Sequence, residues 1–378
     1  MKILFVISSM AGGGAERVAA LLCNYWVNEG HSVTLVLTAS ERSESRYPLD
    51  PRVRFDSLGD RVGGIRKTVF NKLRRLFALR VVLRGYRPDV VVSFMYDVNI
   101  ATVIAKIGMR MALVVSEHIH PPMHQSPFWG GVVRKMFYAK ASRVVVLTGT
   151  TAEWMQTVLS KDMIQIIPNP VVYPLPSTDS AVLPLEQCVT PGRRLLLSCA
   201  RFEAQKNLPL LVKAFSATVD VCPDWDLVIL GDGRERAALE DLRTQLGLEG
   251  RVWLPGWASN LPEWYERADL FVLSSAYEGF GNVLIEAMAY GVPVISTDCP
   301  AGPADIVRDG VDGLLISLES GVEGLRDGLL CLMTQDSLRE NMGRAAVEVR
   351  ERFSMKRIAS VWGEVLKSAI ASISPRSR

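Results

Sequence analysis

The sequence predicts an α/β protein of two doubly wound domains, each a parallel sheet with helices on both faces. Three observations carry this. The chain has 378 residues, 48% of them hydrophobic, which is enough for two full-sized cores. Short, continuous apolar runs alternate with helical patterns along nearly all of it, as strands buried on both faces require. The alternation pauses once, over 169–192, where five prolines and no periodicity mark a linker or hinge.

The elements follow in order. In the first domain, residues 1–168, the strand-like runs are 2–8, 32–38, 89–94, 112–116, 143–147 and 164–167. Amphipathic stretches 15–29 and 65–86 lie between them. In the second domain, 193–354, the runs are 194–199, 226–230, 252–255, 270–274, 294–297 and 314–316. Its helices fit 208–218, 234–246, 282–290 and 338–352. A last helical stretch, 358–373, has apolar positions 358, 362, 366 and 370, and its destination is not visible in periodicity. Ligands of such sheets bind at the carboxyl ends of the strands, and two domains joined by a hinge make a cleft.

Composition excludes several classes. Net charge is only +3, from 43 basic and 40 acidic residues, so the chain is no polycation and no nucleic-acid partner is expected. The six cysteines, at 23, 188, 199, 222, 299 and 331, form no CxxC pair. They read as reduced, mostly buried thiols with a cytoplasmic address. No apolar run reaches the length of a membrane span, because Asp97, Lys106 and Arg110 interrupt the best candidates. The apolar start, 3–7, is too short for a signal peptide and reads as a first strand.

Four clusters carry candidate chemistry. The loop Gly12-Gly13-Gly14-Ala15-Glu16 follows a strand and opens a helix, where free backbone amides suit a phosphate; the plainer alternative is a tight turn. Arg201 and Lys206 lie five residues apart where a strand hands over to a helix, a spacing able to clamp a diphosphate; otherwise they are solvated loop charges. Glu278-Gly279-Phe280-Gly281-Asn282-Val283 and Glu286 place two carboxylates around a glycine-rich turn and helix start. One carboxylate there can grip paired sugar hydroxyls. Glu117-His118-Ile119-His120, with His124 close behind, gathers three of the four histidines, yet no cysteine or second carboxylate completes a metal set. A histidine lining the ligand cleft is the preferred reading, and no metal or cofactor is expected.

Charge adds one more feature. The segment 61–87 holds nine Lys and Arg and no acid, threaded by apolar positions 65, 69, 73, 76, 79, 83 and 86. A basic amphipathic helix suits an anionic membrane surface or polyanion. A helix packed on the sheet with a basic outer side is the equal alternative.

Taken together, Gly12-Gly13-Gly14-Ala15-Glu16-Arg17, Arg201 with Lys206, Gly231-Asp232-Gly233, and Glu278 with Glu286 resemble the retaining GT-B glycosyltransferases of family four. Ile167-Pro168-Asn169-Pro170, Ala289-Tyr290-Gly291-Val292-Pro293 and Gly310-Val311-Asp312-Gly313 extend the likeness over nearly the whole chain. The resemblance implies two Rossmann-like domains facing across a cleft, with the last helix, 355–378, returning to the first. It implies that Arg201 and Lys206 hold a donor diphosphate, Glu286 the nucleotide ribose and Glu278 the donor sugar. The 279–283 turn would line the donor, Gly13 and Gly14 would approach its phosphates, His118 would line the sugar pocket, and Trp257 would lie in the base-contacting segment. Glu278, His118, Arg201 and Lys206 are the implied catalytic set.

The loop 298–306 resembles a subgroup using UDP-N-acetylhexosamines or UDP-hexoses, with Asp305 where members often carry glutamate. Acceptors in that subgroup include polyprenyl-diphosphate-linked glycans and lipopolysaccharide cores. The expectation is therefore a metal-independent enzyme, peripheral on the inner face of the cell membrane. The rivals are a nucleotide-sugar epimerase or hydrolase of the same fold and a non-catalytic nucleotide-sugar-binding protein.

Overall fold

A computed structural model describes residues 1–38, 47–62, 69–123, 127–176 and 182–373. The chain divides into two compact units, Met1–Pro170 with Met355–Arg378, and Val171–Ser354.

The first unit runs β1 (Lys2–Ile7), α1 (Gly14–Asn28), β2 (Ser32–Leu37), β3 (Arg54–Ser57), α2 (Leu58–Val62), α3 (Val69–Tyr86), β4 (Val90–Phe94), α4 (Tyr96–Lys106), β5 (Ala112–Glu117), α5 (Pro127–Tyr138), β6 (Arg143–Val146), α6 (Gly149–Gln156) and β7 (Ile164–Ile166). The second runs β8 (Arg194–Cys199), α7 (Leu208–Ser216), β9 (Trp225–Leu230), α8 (Arg236–Gln245), β10 (Val252–Gly256), α9 (Leu261–Arg267), β11 (Leu270–Leu273), α10 (Asn282–Ala289), β12 (Val294–Asp298), α11 (Pro303–Ile306), β13 (Gly313–Ser317), α12 (Gly321–Thr334), α13 (Asp336–Ala346) and α14 (Val349–Arg352). The final helix, α15 (Met355–Ala371), belongs to the first unit.

Both sheets are wholly parallel. Their orders are β3-β2-β1-β4-β5-β6-β7 and β10-β9-β8-β11-β12-β13. Alternation along a strand sorts side chains between the two faces. Along β1, Ile3, Phe5 and Ile7 join the core under α1 and α15, while Leu4 and Val6 join the core under α3 and α4. Helix α15 gives Ile358, Trp362, Val365 and Leu366 to the first of these, with Trp362 edge-on to Trp26 at 6.1 Å.

Two local expectations are corrected, and one strand is added. Strand β3 has no apolar alternation, so its sequence is silent; pairing with the edge of β2 makes it a strand. The single helix expected over 338–352 is two, α13 and α14. The apolar stripe expected along 65–86 does not pack as one. Leu79 and Leu83 are buried, Leu76 packs against them, and Leu73 is exposed. Positions 65–67 lie outside the described residues.

Residues 171–176 and 182–192 are part of the second unit. The Leu175 amide donates to Tyr290 Oη at 2.9 Å, and Asn260 exchanges two hydrogen bonds with the Leu183 backbone at 3.0 Å. All six cysteines are free thiols, five of them buried. No described helix is long and apolar enough to cross a membrane.

Candidate functional site

In a parallel sheet every strand's carboxyl end lies on one edge, so the loops that follow the strands gather there. Strand order reverses between β8 and β11: the chain moves outward through β9 and β10, then returns to the other side of β8. That reversal is the switch point, where ligands of such sheets bind.

Both charged clusters of the second unit sit at that switch point. Arg201 and Lys206 follow β8; Glu278 follows β11. Lys206 Nζ lies 2.6 Å from Glu278 Oε1, and Ser275 Oγ donates to the same oxygen at 2.6 Å. Backbone bonds lock the two loops together. The Ala276 amide donates to Gln205 O at 2.8 Å, Gln205 Nε2 to Tyr277 O at 2.9 Å, and Ser274 Oγ to Lys206 O at 2.9 Å. The Glu278 side chain is buried, so its charge is held by named donors rather than by water. Arg201 differs: it is exposed and its side chain has no hydrogen bond or ion pair among the described residues.

Two glycines let adjacent loops stack at this edge. A Cβ on Gly231, after β9, would lie 1.9 Å from Ala200 O, after β8. One on Gly302, after β12, would lie 2.1 Å from Phe280 O, after β11. Both have positive φ, 131° and 115°. Gly281, φ 99°, starts α10, and Asn282 and Val283 are partly exposed at its first turn beside Gly279. The Phe280 side chain is buried and packs edge-on against Phe353 at 5.7 Å. One turn into α10, the buried Glu286 accepts from Tyr265 Oη at 3.2 Å. Trp257, beyond β10, is 46% exposed. Burial, then the Glu278 carboxylate, push the neighbouring Cys299 thiol up to about 12, so it stays protonated.

The first unit's switch point lies between β1 and β4. The Gly12-Gly13-Gly14 loop follows β1. There the Gly13 amide donates to Tyr47 Oη at 3.0 Å, and the hydroxyl donates back to Gly13 O at 2.9 Å. After β4, Met95 adopts φ 79°, ψ 141°, a strained conformation for a residue with a Cβ. It is held by its amide to Ser116 O at 3.2 Å and by the Asn99 amide to its own carbonyl at 2.8 Å.

Next along this edge, after β5, His118 lies against the Phe94 ring at 4.0 Å, with Nε2 3.2 Å from Ser116 Oγ. Burial lowers its pKa to about 3, so the imidazole is neutral near pH 7. His120 turns to Thr151 Oγ1 at 3.2 Å instead, and His124 lies outside the described residues. Among the described residues no group of three His, Cys, Asp or Glu could hold a metal ion. Beneath His118, Glu117 Oε2 takes Arg134 Nε at 2.8 Å and Tyr138 Oη at 3.0 Å, all buried. Sequence reading missed Tyr47, Met95 and the Arg134 and Tyr138 partners of Glu117, each of which has a partner at least 17 positions away.

A sequence profile described as "Glycosyltransferase Family 4" matches residues 12–172, and one described as "Glycosyl transferases group 1" matches 188–349. The GalNAc-alpha-(1->4)-GalNAc-alpha-(1->3)-diNAcBac-PP-undecaprenol alpha-1,4-N-acetyl-D-galactosaminyltransferase of Campylobacter jejuni is 27% identical over 364 residues, covering 96% of this chain and 97% of its own. The amylovoran biosynthesis glycosyltransferase AmsD of Erwinia amylovora is 27% identical over 373 residues, covering 97% and 99%. Among solved structures, Anabaena HepE in complex with UDP and glucose superposes with a TM-score of 0.79 at 21% identity, over 97% of this chain and all of its own. That likeness gives the fold, GT-B, and nothing finer.

Proposed function

This chain belongs to the family-four glycosyltransferases, and we propose that it transfers a hexose or N-acetylhexosamine from a UDP-sugar to a lipid-linked or lipopolysaccharide glycan, with retention at the anomeric carbon. The observation that carries this reading is the Lys206–Glu278 pair at the second switch point, flanked by the unpaired Arg201. Cleaving a sugar–diphosphate bond builds negative charge on the departing phosphate, and preorganised cations stabilise that charge as it forms. Arg201 offers a planar fork and Lys206 a mobile point charge. Arriving diphosphate draws Lys206 from Glu278 and frees the carboxylate to orient the sugar hydroxyls. Glu286, steadied by Tyr265, takes the ribose, and the exposed Trp257 lies beside the base.

In the first unit, Gly13 and Gly14 serve the phosphates and His118 the sugar. As a neutral imidazole, His118 can share hydrogen bonds with sugar hydroxyls without adding charge. We assign retention to front-face attack through an oxocarbenium-like ion pair, the departing phosphate accepting the acceptor's proton. With Lys206 drawn to the phosphate, Glu278 Oε1 still receives the Ser275 hydroxyl at 2.6 Å, which blunts it as a nucleophile. The two cations take the part of a divalent ion, so turnover persists in EDTA; loss in EDTA restored by Mg²⁺ or Mn²⁺ would overturn that point. The enzyme works peripherally at the cytoplasmic face of a membrane, where such acceptors reside. The acceptor class rests on likeness to the Campylobacter relative, whose name contains a PP-undecaprenol glycan. Incubation with a panel of UDP-sugars and a membrane lipid extract, read by mass, tests the whole reading. A lipid product heavier by one sugar is expected; release of free sugar alone would favour a hydrolase.

A further inference from the structure

Glu117 stands one position before His118, is buried, and has no part in the transfer chemistry described so far. Arg134 Nε, at 2.8 Å, balances its charge from over the Tyr96 ring. A carboxylate only accepts hydrogen bonds, so Glu117 fixes the direction of each bond that leads away from it. Tyr138 Oη donates to Glu117 Oε2 at 3.0 Å and therefore accepts from Asn99 Nδ2, also at 3.0 Å. That settles the Asn99 amide. Its Oδ1 takes the Ser93 hydroxyl at 2.7 Å, and its Nδ2 also donates to the Ser116 carbonyl at 2.9 Å. The Met95 amide donates to the same carbonyl at 3.2 Å. Ser93, Asn99, Ser116 and Tyr138 are all buried. The relay thus ends on Ser116, whose backbone is held by two donors.

The Ser116 hydroxyl faces His118. Its Oγ lies 3.2 Å from His118 Nε2, and it has no other hydrogen-bond partner among the described residues. A buried hydroxyl that only accepted would strand its own hydrogen, and buried donors are rarely left so. Ser116 Oγ–H therefore donates to Nε2. Nε2 is then the bare ring nitrogen, and the hydrogen of the neutral imidazole sits on Nδ1. The Phe94 ring, at 4.0 Å, steadies the plane of the imidazole. His118 is partly exposed, and its Nδ1 has no hydrogen-bond partner among the described residues.

We propose that Ser116 is a positioning residue for the transfer: it fixes His118 as the Nδ1–H tautomer, so that the imidazole offers its ligand a hydrogen-bond donor and not a base. This rests on the reading that His118 meets the donor sugar, where the partner is a lone pair of a sugar oxygen. It also closes one route for the acceptor's proton, because the only basic nitrogen of the ring is already taken by the Ser116 hydroxyl. Through its carbonyl the same residue holds the strained Met95 turn. One serine therefore sets the loops after both β4 and β5.

Two-bond ¹H–¹⁵N spectra of protein carrying ring-¹⁵N histidine read the tautomer directly. The chain has four histidines, and His118→Gln identifies the signals in question. Near pH 7 the ligand-free wild type is expected to show His118 with Nδ1 protonated and Nε2 bare. Ser116→Ala removes a single oxygen and should let both tautomers appear. It should lower kcat/KM for transfer by about tenfold, with UDP affinity within about twofold of wild type because UDP lacks the sugar. A wild-type His118 with its hydrogen on Nε2, or with both tautomers averaged, overturns the proposal before any variant is made. So does a Ser116→Ala protein that keeps a single Nδ1–H tautomer, whatever its rate, since the hydroxyl would then act only through the fold. If the tautomer follows Ser116 while kcat/KM does not, the hydroxyl still sets the ring, and it is the reading of His118 as a sugar contact that fails.

Discussion

The two switch points share a topology and differ in chemistry. In the second unit, side-chain charge fills the crevice edge: Lys206 and Glu278 meet at 2.6 Å, with Arg201 unpaired on the same loop. In the first, the corresponding edge presents a glycine loop tied to Tyr47, with Glu16 against Gly13 and Arg17 over the Tyr47 ring, then a strained Met95 turn and an imidazole held uncharged. A parallel sheet dictates where loops gather, whereas the residues on those loops decide what they bind. On the proposed reading, Arg201 and Lys206 meet the diphosphate at the second unit's edge and Glu278 the sugar, while the first unit's edge adds the Gly13 and Gly14 loop to the phosphates and His118 to the sugar.

The largest effects should fall on the charged edge. Lys206→Ala is expected to cost about 2–4 kcal/mol of transition-state stabilisation, roughly 30- to 900-fold in kcat/KM. It should also destabilise the fold by about 3 kcal/mol, because a buried Glu278 loses its cation. Adding Glu278→Gln should recover most of that stability and none of the activity. Steady-state rates within threefold of wild type would end the clamp assignment.

Arg201→Ala sharpens the comparison. Its rate loss should match that of Lys206→Ala, again about 2–4 kcal/mol, while its melting temperature stays unchanged, since no partner is abandoned. A melt that falls with the rate would mean that the two cations act through structure.

Gly302→Ala probes the stacking that brings the loops together. The positive φ and the Phe280 carbonyl in the path of the new Cβ should cost roughly 2–3 kcal/mol in denaturant unfolding. Wild-type stability would mean that the β11 and β12 loops are free to separate.

The effect at the first unit's edge depends on pH. Unfolded chains protonate histidine near 6.5, whereas folded His118 resists protonation down to about 3. The unfolded state thus binds more protons between those values, and stability falls as pH drops through 6.5 towards 3. The slope contributed is at most about 1.4 kcal/mol per pH unit. His118→Gln should flatten the acid limb of the stability curve; an unchanged limb would show that another group, such as His120, sets it.

Much of the fold was legible because its signals are local. Apolar runs such as Val90–Phe94 name a strand buried on both faces, and glycine loops name its exits. Strand β3 was not legible, since Arg54, Asp56 and Ser57 carry no strand pattern and only the open edge of β2 recruits them. Within the site, the sequence offered Arg201 with Lys206 and Glu278 with Glu286 as separate clusters. It could not join Lys206 to Glu278 across 72 positions.

The sequence by itself determined two parallel α/β sheets and the residue types at their carboxyl edges, because period and turn chemistry are properties of neighbouring residues. The tertiary structure alone decided the rest. It chose which strands are neighbours, and hence where order reverses and which loops meet. It pinned Gly13 to Tyr47 and strained Met95 over Ser116. It turned one apolar side of α3 inward and left the other in water. Burial and pairing depend on the whole packed chain, so none of these can be read from a window of residues.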